Sequence, residues 1–141
     1  MKRRKATILC VDDHWNGLIG RKQLLEDHGY DVIEATDGSE SLKIFRSYPV
    51  DAVVLDYQMP GMNGDVIADK MKNLKPQVPI MLLSAYGPLP KHKLKSVDKF
   101  VSKSQSPDSM RSSLHRMIEA RQKPFFHRWL DSWKTNNLGS H

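Results

Sequence analysis

Polar residues that could do chemistry stand where apolar runs of the sequence stop. A lone aspartate in such a place is most often a turn or helix-cap residue, and a lone serine or lysine carries little information. Here five such residues follow or close four runs: Asp12 and Asp13 after "TILCV" (7–11), Asp56 in "DAVVLD" (51–56), Ser84 in "VPIMLLS" (78–84) and Lys103 in "DKFVSK" (98–103). If the runs are parallel strands, all five side chains gather at one edge of a sheet, where such folds bind ligands.

Three carboxylates in a small space repel one another, and a hard divalent cation relieves that repulsion. Mg²⁺ takes oxygen ligands and binds through one or two carboxylates together with water and phosphate oxygens. The residues therefore predict a Mg²⁺ site, in which Mn²⁺ could stand in. The hydroxyl of Ser84 and the amine of Lys103 are not needed by a metal but suit a bound phosphoryl group. A carboxylate can itself accept that group.

The elements that must position these residues alternate between strands and helices. A further strand is predicted at 31–36. Helices are predicted at 18–30, 38–48, 64–74 and 106–122, the last with Ser106 as its cap and Pro107 at its first position. Alternation of this kind predicts an α/β fold with a parallel sheet covered on both faces. The segment 87–97 has two prolines and few apolar residues, so a helix there would be short or irregular.

Length and charge narrow the class of protein. The 141 residues suffice for one domain with a proper core. No apolar run approaches the roughly 18 residues of a membrane span, and Asp12 and Asp13 interrupt the apolar start too early for a signal peptide. Cys10, the single cysteine, is predicted to be a small buried hydrophobe. A cytoplasmic protein is expected. The net charge of +6 favours a solvated basic surface over a nucleic-acid or anionic-membrane partner.

Four segments together resemble the receiver domain of response regulators in two-component signalling: "ILCVDD", "VVLDYQMPGMNG", "PIMLLSA" and "FVSK". The resemblance covers about residues 5–122 and rests above all on "DYQMPGMNG". It implies a doubly wound, five-stranded parallel sheet of the flavodoxin/CheY-like (βα)5 type. It also implies a stand-alone receiver domain at 1–122, followed by an extension at 123–141.

The resemblance gives each metal-site residue a role. Asp56 matches the phosphoacceptor of the family, and Asp13 matches the acid that ligates Mg²⁺ directly. Asp12 acts beside it, and the backbone carbonyl of Gln58 would be the third protein ligand. Met59, in the same loop, is expected to border the site.

The resemblance also names switch residues. Ser84 matches the switch hydroxyl, and Lys103 matches the lysine that pairs with a phosphoryl oxygen. Phe100 matches the switch aromatic, with an ordinary core phenylalanine as the alternative. Tyr86 is expected to border the site and either shields the phosphoryl group or packs at the rim. Ser104 stands where the family usually has a proline, so a cis peptide bond after the lysine is not assured.

The implied function is a phospho-accepting signalling switch rather than a turnover enzyme. A sensor histidine kinase or a histidine phosphotransfer protein would phosphorylate Asp56, and the switch would alter contact with an unknown protein target. The alternative is a nucleic-acid-binding protein on a receiver scaffold, although no nucleic-acid motif supports it. A haloacid-dehalogenase-like phosphatase is disfavoured, because Gln58 stands where that class needs a second aspartate.

The extension carries one apolar helical face, formed by Phe126, Trp129, Leu130 and Trp133, with Pro124 before it. We expect it to fold back on its own domain or on a sister subunit, which keeps a homodimer open. A protein partner is the next choice, and an anionic membrane surface is less favoured.

Overall fold

The computed structural model describes residues 4–122. The predicted extension at 123–141 lies outside these residues. Strands and helices alternate in the described part: β1 (Thr7–Val11), α1 (Trp15–Asp27), β2 (Asp31–Ala35), α2 (Gly38–Ser47), β3 (Ala52–Asp56), α3 (Gly64–Leu74), β4 (Ile80–Ser84), a 3-10 turn (Lys91–Lys93), β5 (Lys99–Ser102) and α4 (Pro107–Gln122). No helix in this part of the chain is long and apolar enough to cross a membrane.

The five strands form one parallel sheet in the order β2-β1-β3-β4-β5. From β1 the chain first adds β2 on one side. It then adds β3, β4 and β5 on the other side of β1, so the strand order reverses between β1 and β3. In the register, Asp56 lies opposite Leu83, and Ser84 lies opposite Ser102. The carboxyl ends of β3, β4 and β5 therefore meet at one edge, as predicted.

Both faces of the sheet are covered. On one face α1 and α4 bury Leu18, Leu25 and Leu114, and on the other α2 and α3 bury Phe45 and Met71. All five residues of β3 and of β4 are buried, which explains why these strands read as continuous apolar runs rather than as alternating ones. The predicted doubly wound sheet is confirmed, and Cys10 is buried within it.

The first helix differs from its predicted bounds. Helix α1 begins at Trp15, three residues before the predicted start at Leu18. Trp15 is largely exposed, so the first turn does not continue the periodic spacing of buried apolar residues from which a helix is predicted. The helix stops where Gly29 adopts a positive φ of 90°, as its predicted glycine stop requires.

The crossover between β4 and β5 contains the 3-10 turn Lys91–Lys93 and no α-helix. The prediction of a short or irregular element is confirmed, and the (βα)5 pattern is realised with four α-helices in the described residues. Pro88 and Pro90 precede the turn, and proline disfavours a helical conformation at the residue before it. Leu89 and Leu94 still pack against the core on the α2–α3 face, so the segment covers the sheet without a helix.

Candidate functional site

The predicted carboxylates converge beyond the ends of β1 and β3. Ligand atoms of Asp12, Asp13, His14 and Asp56 all lie within 4.8 Å of one another. Asp12 is 1% exposed and Asp56 is 3% exposed, while Asp13 is partly buried. Strand β1 carries the acid pair at its end and β3 carries Asp56 as its last residue, so the parallel register brings them together.

The loop after Asp56 is held close to the strand ends by backbone hydrogen bonds. The Tyr57 N–H donates to the Leu83 carbonyl at 2.8 Å, and the Gly64 N–H donates to the Tyr57 carbonyl at 2.7 Å. A Cβ on Gly64 would lie 2.4 Å from the Asp56 carbonyl oxygen, which is possible only for glycine. Gly61 adopts a φ of 81°. The two glycines thus let the chain turn sharply beside the buried carboxylate.

Lys103 bridges two of the acids. Its Nζ lies 2.7 Å from Asp56 Oδ1 and 3.6 Å from Asp12 Oδ2. Burial raises the pKa of Asp56, the Lys103 hydrogen bond opposes that rise, and the charge on Asp12 adds to it. The predicted lysine is therefore paired with the predicted acceptor, and Asp56 remains a carboxyl that is costly to ionise.

Asp12 has more partners than Asp56. Its Oδ1 accepts the His14 N–H at 2.9 Å, and its Oδ2 forms a close ion pair with Arg21 of α1. Burial works to raise the pKa of Asp12, but the His14 N–H, Arg21 and Lys103 together outweigh burial and lower it. Asp12 is thus an anion that is stabilised by its hydrogen-bond donor and its ion-pair partners.

Two residues of the site were not predicted from the sequence. The Nδ1 of His14 lies 3.2 Å from Asp13 Oδ1, and the guanidinium of Arg21 reaches Asp12 from the helix. Arg21 could have been found from its spacing, because it follows Leu18 by three residues and precedes Leu25 by four, on the buried stripe of α1. An arginine on such a stripe needs an anionic partner. His14 gives no comparable signal.

The donor set fits a hard divalent cation. Asp13 Oδ1 is buried and has no hydrogen-bond partner among residues 4–122, since His14 Nδ1 approaches it without hydrogen-bond geometry. A buried carboxylate oxygen left in this way is available to a metal. Asp13 lines a cavity of about 480 Å³ together with His14, Asp56, Gln58, Met59, Pro60, Asn63, Ala85 and Lys103. Met59, predicted to border the site, and Gln58, predicted to offer its backbone carbonyl to the metal, both lie in this lining.

The remaining predicted residues lie around this cavity rather than in its lining. Ser84 is buried, and its Oγ accepts the Tyr86 N–H at 3.1 Å. Its neighbour Ala85 lines the cavity instead. The ring of Tyr86 is 60% exposed and is not among the lining groups. Phe100 is half-buried, opposite Leu82 in the sheet, and packs against the core on the α2–α3 face.

The loop after Lys103 is tied down without the proline usual in the family. The Lys103 N–H donates to the Ser84 carbonyl at 2.8 Å, and the Gln105 N–H donates to the Ser102 carbonyl at 3.1 Å. The hydroxyls of Ser102 and Ser104 are 2.7 Å apart and hydrogen-bonded. Every peptide bond in the described residues is trans. Serine side chains thus supply the local contacts at this turn.

Comparison with known proteins agrees with this geometry. The model of the response regulator receiver domain family matches residues 8–115. The chain belongs to the response regulator receiver domain family, a family of signalling switches.

Individual relatives are similar over different extents. The transcriptional regulatory protein GlrR of Escherichia coli is 27% identical over 97% of this chain. The chain spans about a third of the length of that relative, 32%. The structure of response regulator TrrA from Thermotoga maritima in complex with Mg²⁺-BeF is 33% identical, with a TM-score of 0.76 over 79% of this chain and 98% of the other. TrrA in complex with the histidine kinase ThkA gives a TM-score of 0.74 at 33% identity, over 79% of this chain and 97% of the matched one.

Proposed function

We propose that this chain accepts a phosphoryl group on Asp56 in a Mg²⁺-dependent reaction and acts as a response regulator. The observation that carries the proposal is the buried Asp56 carboxylate, paired with Lys103 at 2.7 Å and set beside a second and third carboxylate at the mouth of a cavity. The proposed receiver domain covers residues 1–122, and residues 123–141 are proposed as an extension that follows it. TrrA, which is similar in sequence and structure, has been solved with Mg²⁺-BeF.

In the proposed reaction an Asp56 oxygen attacks the phosphorus of a phosphohistidine. The phosphorus–nitrogen bond breaks, the new acyl-phosphate bond forms, and the imidazole leaves with the electron pair of the broken bond. The divalent cation, held by Asp13, Asp56 and the Gln58 carbonyl with Asp12 beside it, would neutralise phosphoryl oxygens. Lys103 forms an ion pair with Asp56 and would pair with a phosphoryl oxygen once Asp56 is phosphorylated.

The proposed switch starts from the groups that border the acceptor. The Ser84 hydroxyl oxygen accepts the Tyr86 N–H, and its proton can be donated to a phosphoryl oxygen. A movement of the Ser84 side chain toward the phosphoryl group would therefore alter the loop that holds Tyr86. Phe100 is the proposed aromatic partner of that change, because it lies on the strand next to Ser84. The output is a change in protein contact rather than turnover of a substrate. In this sense the chain is proposed to be a switch and not an enzyme.

The proposed partners follow from the donor and from the site. The phosphoryl donor is a sensor histidine kinase or a histidine phosphotransfer protein, in line with the kinase complex of TrrA. The receiver of the signal is a protein target, and a homodimer is retained as an alternative. DNA and membrane are not proposed as partners. The cytoplasm, where such donors present their phosphohistidine, is the proposed location.

Intact mass spectrometry after incubation with acetyl phosphate tests this function. Wild type with Mg²⁺ should gain one phosphoryl group, and the gain should vanish in EDTA and in Asp56→Asn. Asp65→Asn is the matched control, because Asp65 is a partly buried carboxylate of the neighbouring helix that lies outside the predicted site. This control should keep the adduct. An adduct that persists in Asp56→Asn would refute Asp56 as the acceptor.

A further inference from the structure

Arg21 occupies a place that the metal chemistry does not require. It lies on the buried stripe of α1 and its side chain is only 17% exposed. Its guanidinium forms a close ion pair with Asp12 Oδ2 and pairs with no other acid among residues 4–122. A permanent cation at this point competes with a metal ion for the same anion.

Gly17 makes room for this contact. A Cβ at position 17 would lie 3.2 Å from Asp12 Oδ2 and 3.3 Å from Arg21 Nη2, so it would crowd both partners. Gly20, in the same helix, would meet nothing within 4 Å. Glycine inside a helix is unfavourable relative to alanine. At position 17 the missing Cβ leaves the space in which Arg21 contacts Asp12.

The neighbouring acids Asp12 and Asp13 differ in their hydrogen-bond partners. Both oxygens of Asp12 are engaged, Oδ1 by the His14 N–H and Oδ2 by Arg21. Asp13 Oδ1, in contrast, has no hydrogen-bond partner among the described residues. One acid is therefore held by the protein and the other is left for a ligand.

We infer that Arg21 is a positioning residue that holds Asp12 back from the divalent cation and thereby weakens Mg²⁺ binding in the unphosphorylated protein. The inference rests on the proposed Mg²⁺ site and deepens it. The cation must draw Asp12 away from the guanidinium to use Oδ2, or bind through Asp13 and Asp56 alone. A second cavity of about 230 Å³, lined by Arg21, Lys103, Gln105, Ser106 and mainly apolar neighbours, gives the guanidinium space to move aside.

Removal of the guanidinium should therefore tighten metal binding. Arg21→Gln removes the positive charge paired with Asp12 and leaves Lys103, at 3.6 Å, as the ion-pair partner of Asp12 Oδ2 in the described residues. We expect Mg²⁺ affinity to rise about tenfold, because the substitution removes a positive charge that repels a cation bound beside Asp12. Gly17→Ala should change affinity in the same direction by displacing Arg21, whereas Gly20→Ala should leave it unchanged.

The test is a titration of the full chain with Mn²⁺, followed by the free-ion electron paramagnetic resonance signal, with Mg²⁺ affinity taken from competition. Lys22→Gln is the matched control, since it removes the same charge from the adjacent position of α1 but pairs with Glu34 instead of Asp12. It should shift affinity less than about twofold, because exposed charges are well screened. In an Asp12→Asn background, Arg21→Gln should lose its effect. Circular dichroism verifies that each variant is folded.

Each outcome decides the question. Tighter binding in Arg21→Gln than in both wild type and Lys22→Gln supports the inference. Equal or weaker binding in a folded Arg21→Gln overturns it while the Mg²⁺ site of the wild type stands. If neither protein binds Mn²⁺ or Mg²⁺, the inference and the proposed metal-dependent function both fail. An equal gain in Lys22→Gln would mean that net charge, and not the contact with Asp12, sets the affinity.

Discussion

Asp56 combines two demands that oppose each other, because it must be buried beside other acids and yet be ionised to act as a nucleophile. Burial and the charge on Asp12 raise its pKa above the ordinary value of 3.8, although Lys103 works against the rise. A carboxyl whose pKa is higher in the folded state begins to destabilise the fold as the pH rises above its unfolded pKa, and the cost is complete above its folded pKa. The cost disappears as the pH falls below 3.8, where the carboxyl is protonated in both states.

Asp56→Asn should therefore unfold less readily than wild type in metal-free solution at about pH 7, by roughly 1 kcal/mol, the usual size of a single-residue effect. The difference should shrink as the pH falls through the raised pKa of Asp56. Urea denaturation in EDTA across that pH range measures it. Asp12 has the opposite dependence, because its pKa is lowered and its stabilisation is lost on acidification, but it is present in both proteins. A variant less stable than wild type at neutral pH would contradict this account.

Sequence reasoning at the residue scale reached the groups at strand ends and missed those on helices. Asp12, Asp13, Asp56 and Lys103 were predictable together because parallel strands must bring their ends to one edge. Arg21 reaches the site along a long flexible side chain from a helix, and strand spacing carries no information about that reach. The gap left by Gly17 depends on how close α1 packs to β1, which is a property of the assembled fold.

At the scale of elements, the contact between β3 and α3 makes a sharp prediction about glycine. Gly64→Ala would place a Cβ 2.4 Å from the Asp56 carbonyl oxygen and 2.8 Å from Leu82 Cδ1. Because the first neighbour is backbone, α3 must shift, and we expect a loss of about 2 kcal/mol or more in the free energy of unfolding.

Gly20→Ala is the control for that substitution. Its added Cβ meets open space on the exposed side of α1, so higher helix propensity should give a gain of about 0.5–1 kcal/mol. Chemical denaturation of both variants in the same buffer makes the comparison. Equal effects in the two variants would show that the close approach of Gly64 to the strand end does not exist in solution.

The elements themselves were predicted unevenly for a physical reason. Strand β1 and helix α3 have the predicted bounds, because a strand or helix buried against the sheet has a sharp apolar pattern. The first turn of α1 was missed, since Trp15 faces solvent and leaves no period. The segment 87–97 was correctly doubted, since its prolines disfavour a helix, but the 3-10 turn at 91–93 could not be located from composition alone.

At the scale of the whole molecule, Cys10 reports on global opening. It lies on the interior strand β1, fully buried between the layers, and burial raises the pKa of its thiol to about 12. Only the thiolate reacts with disulfide reagents. The native protein should therefore resist such a reagent at neutral pH and react with one equivalent in denaturant, as absorbance of the released thiol would record. Rapid stoichiometric labelling of native protein would contradict the packing of β1.

The most direct test of the central claim is to locate the phosphoryl group. After incubation with acetyl phosphate and Mg²⁺, borohydride reduces an aspartyl phosphate to an alcohol, which marks the acceptor permanently. Trypsin then releases the peptide 47–70, which holds Asp51, Asp56, Asp65 and Asp69. Fragmentation of this peptide should place the alcohol at Asp56 alone. An alcohol at one of the other three aspartates, or on a different peptide, would contradict the account.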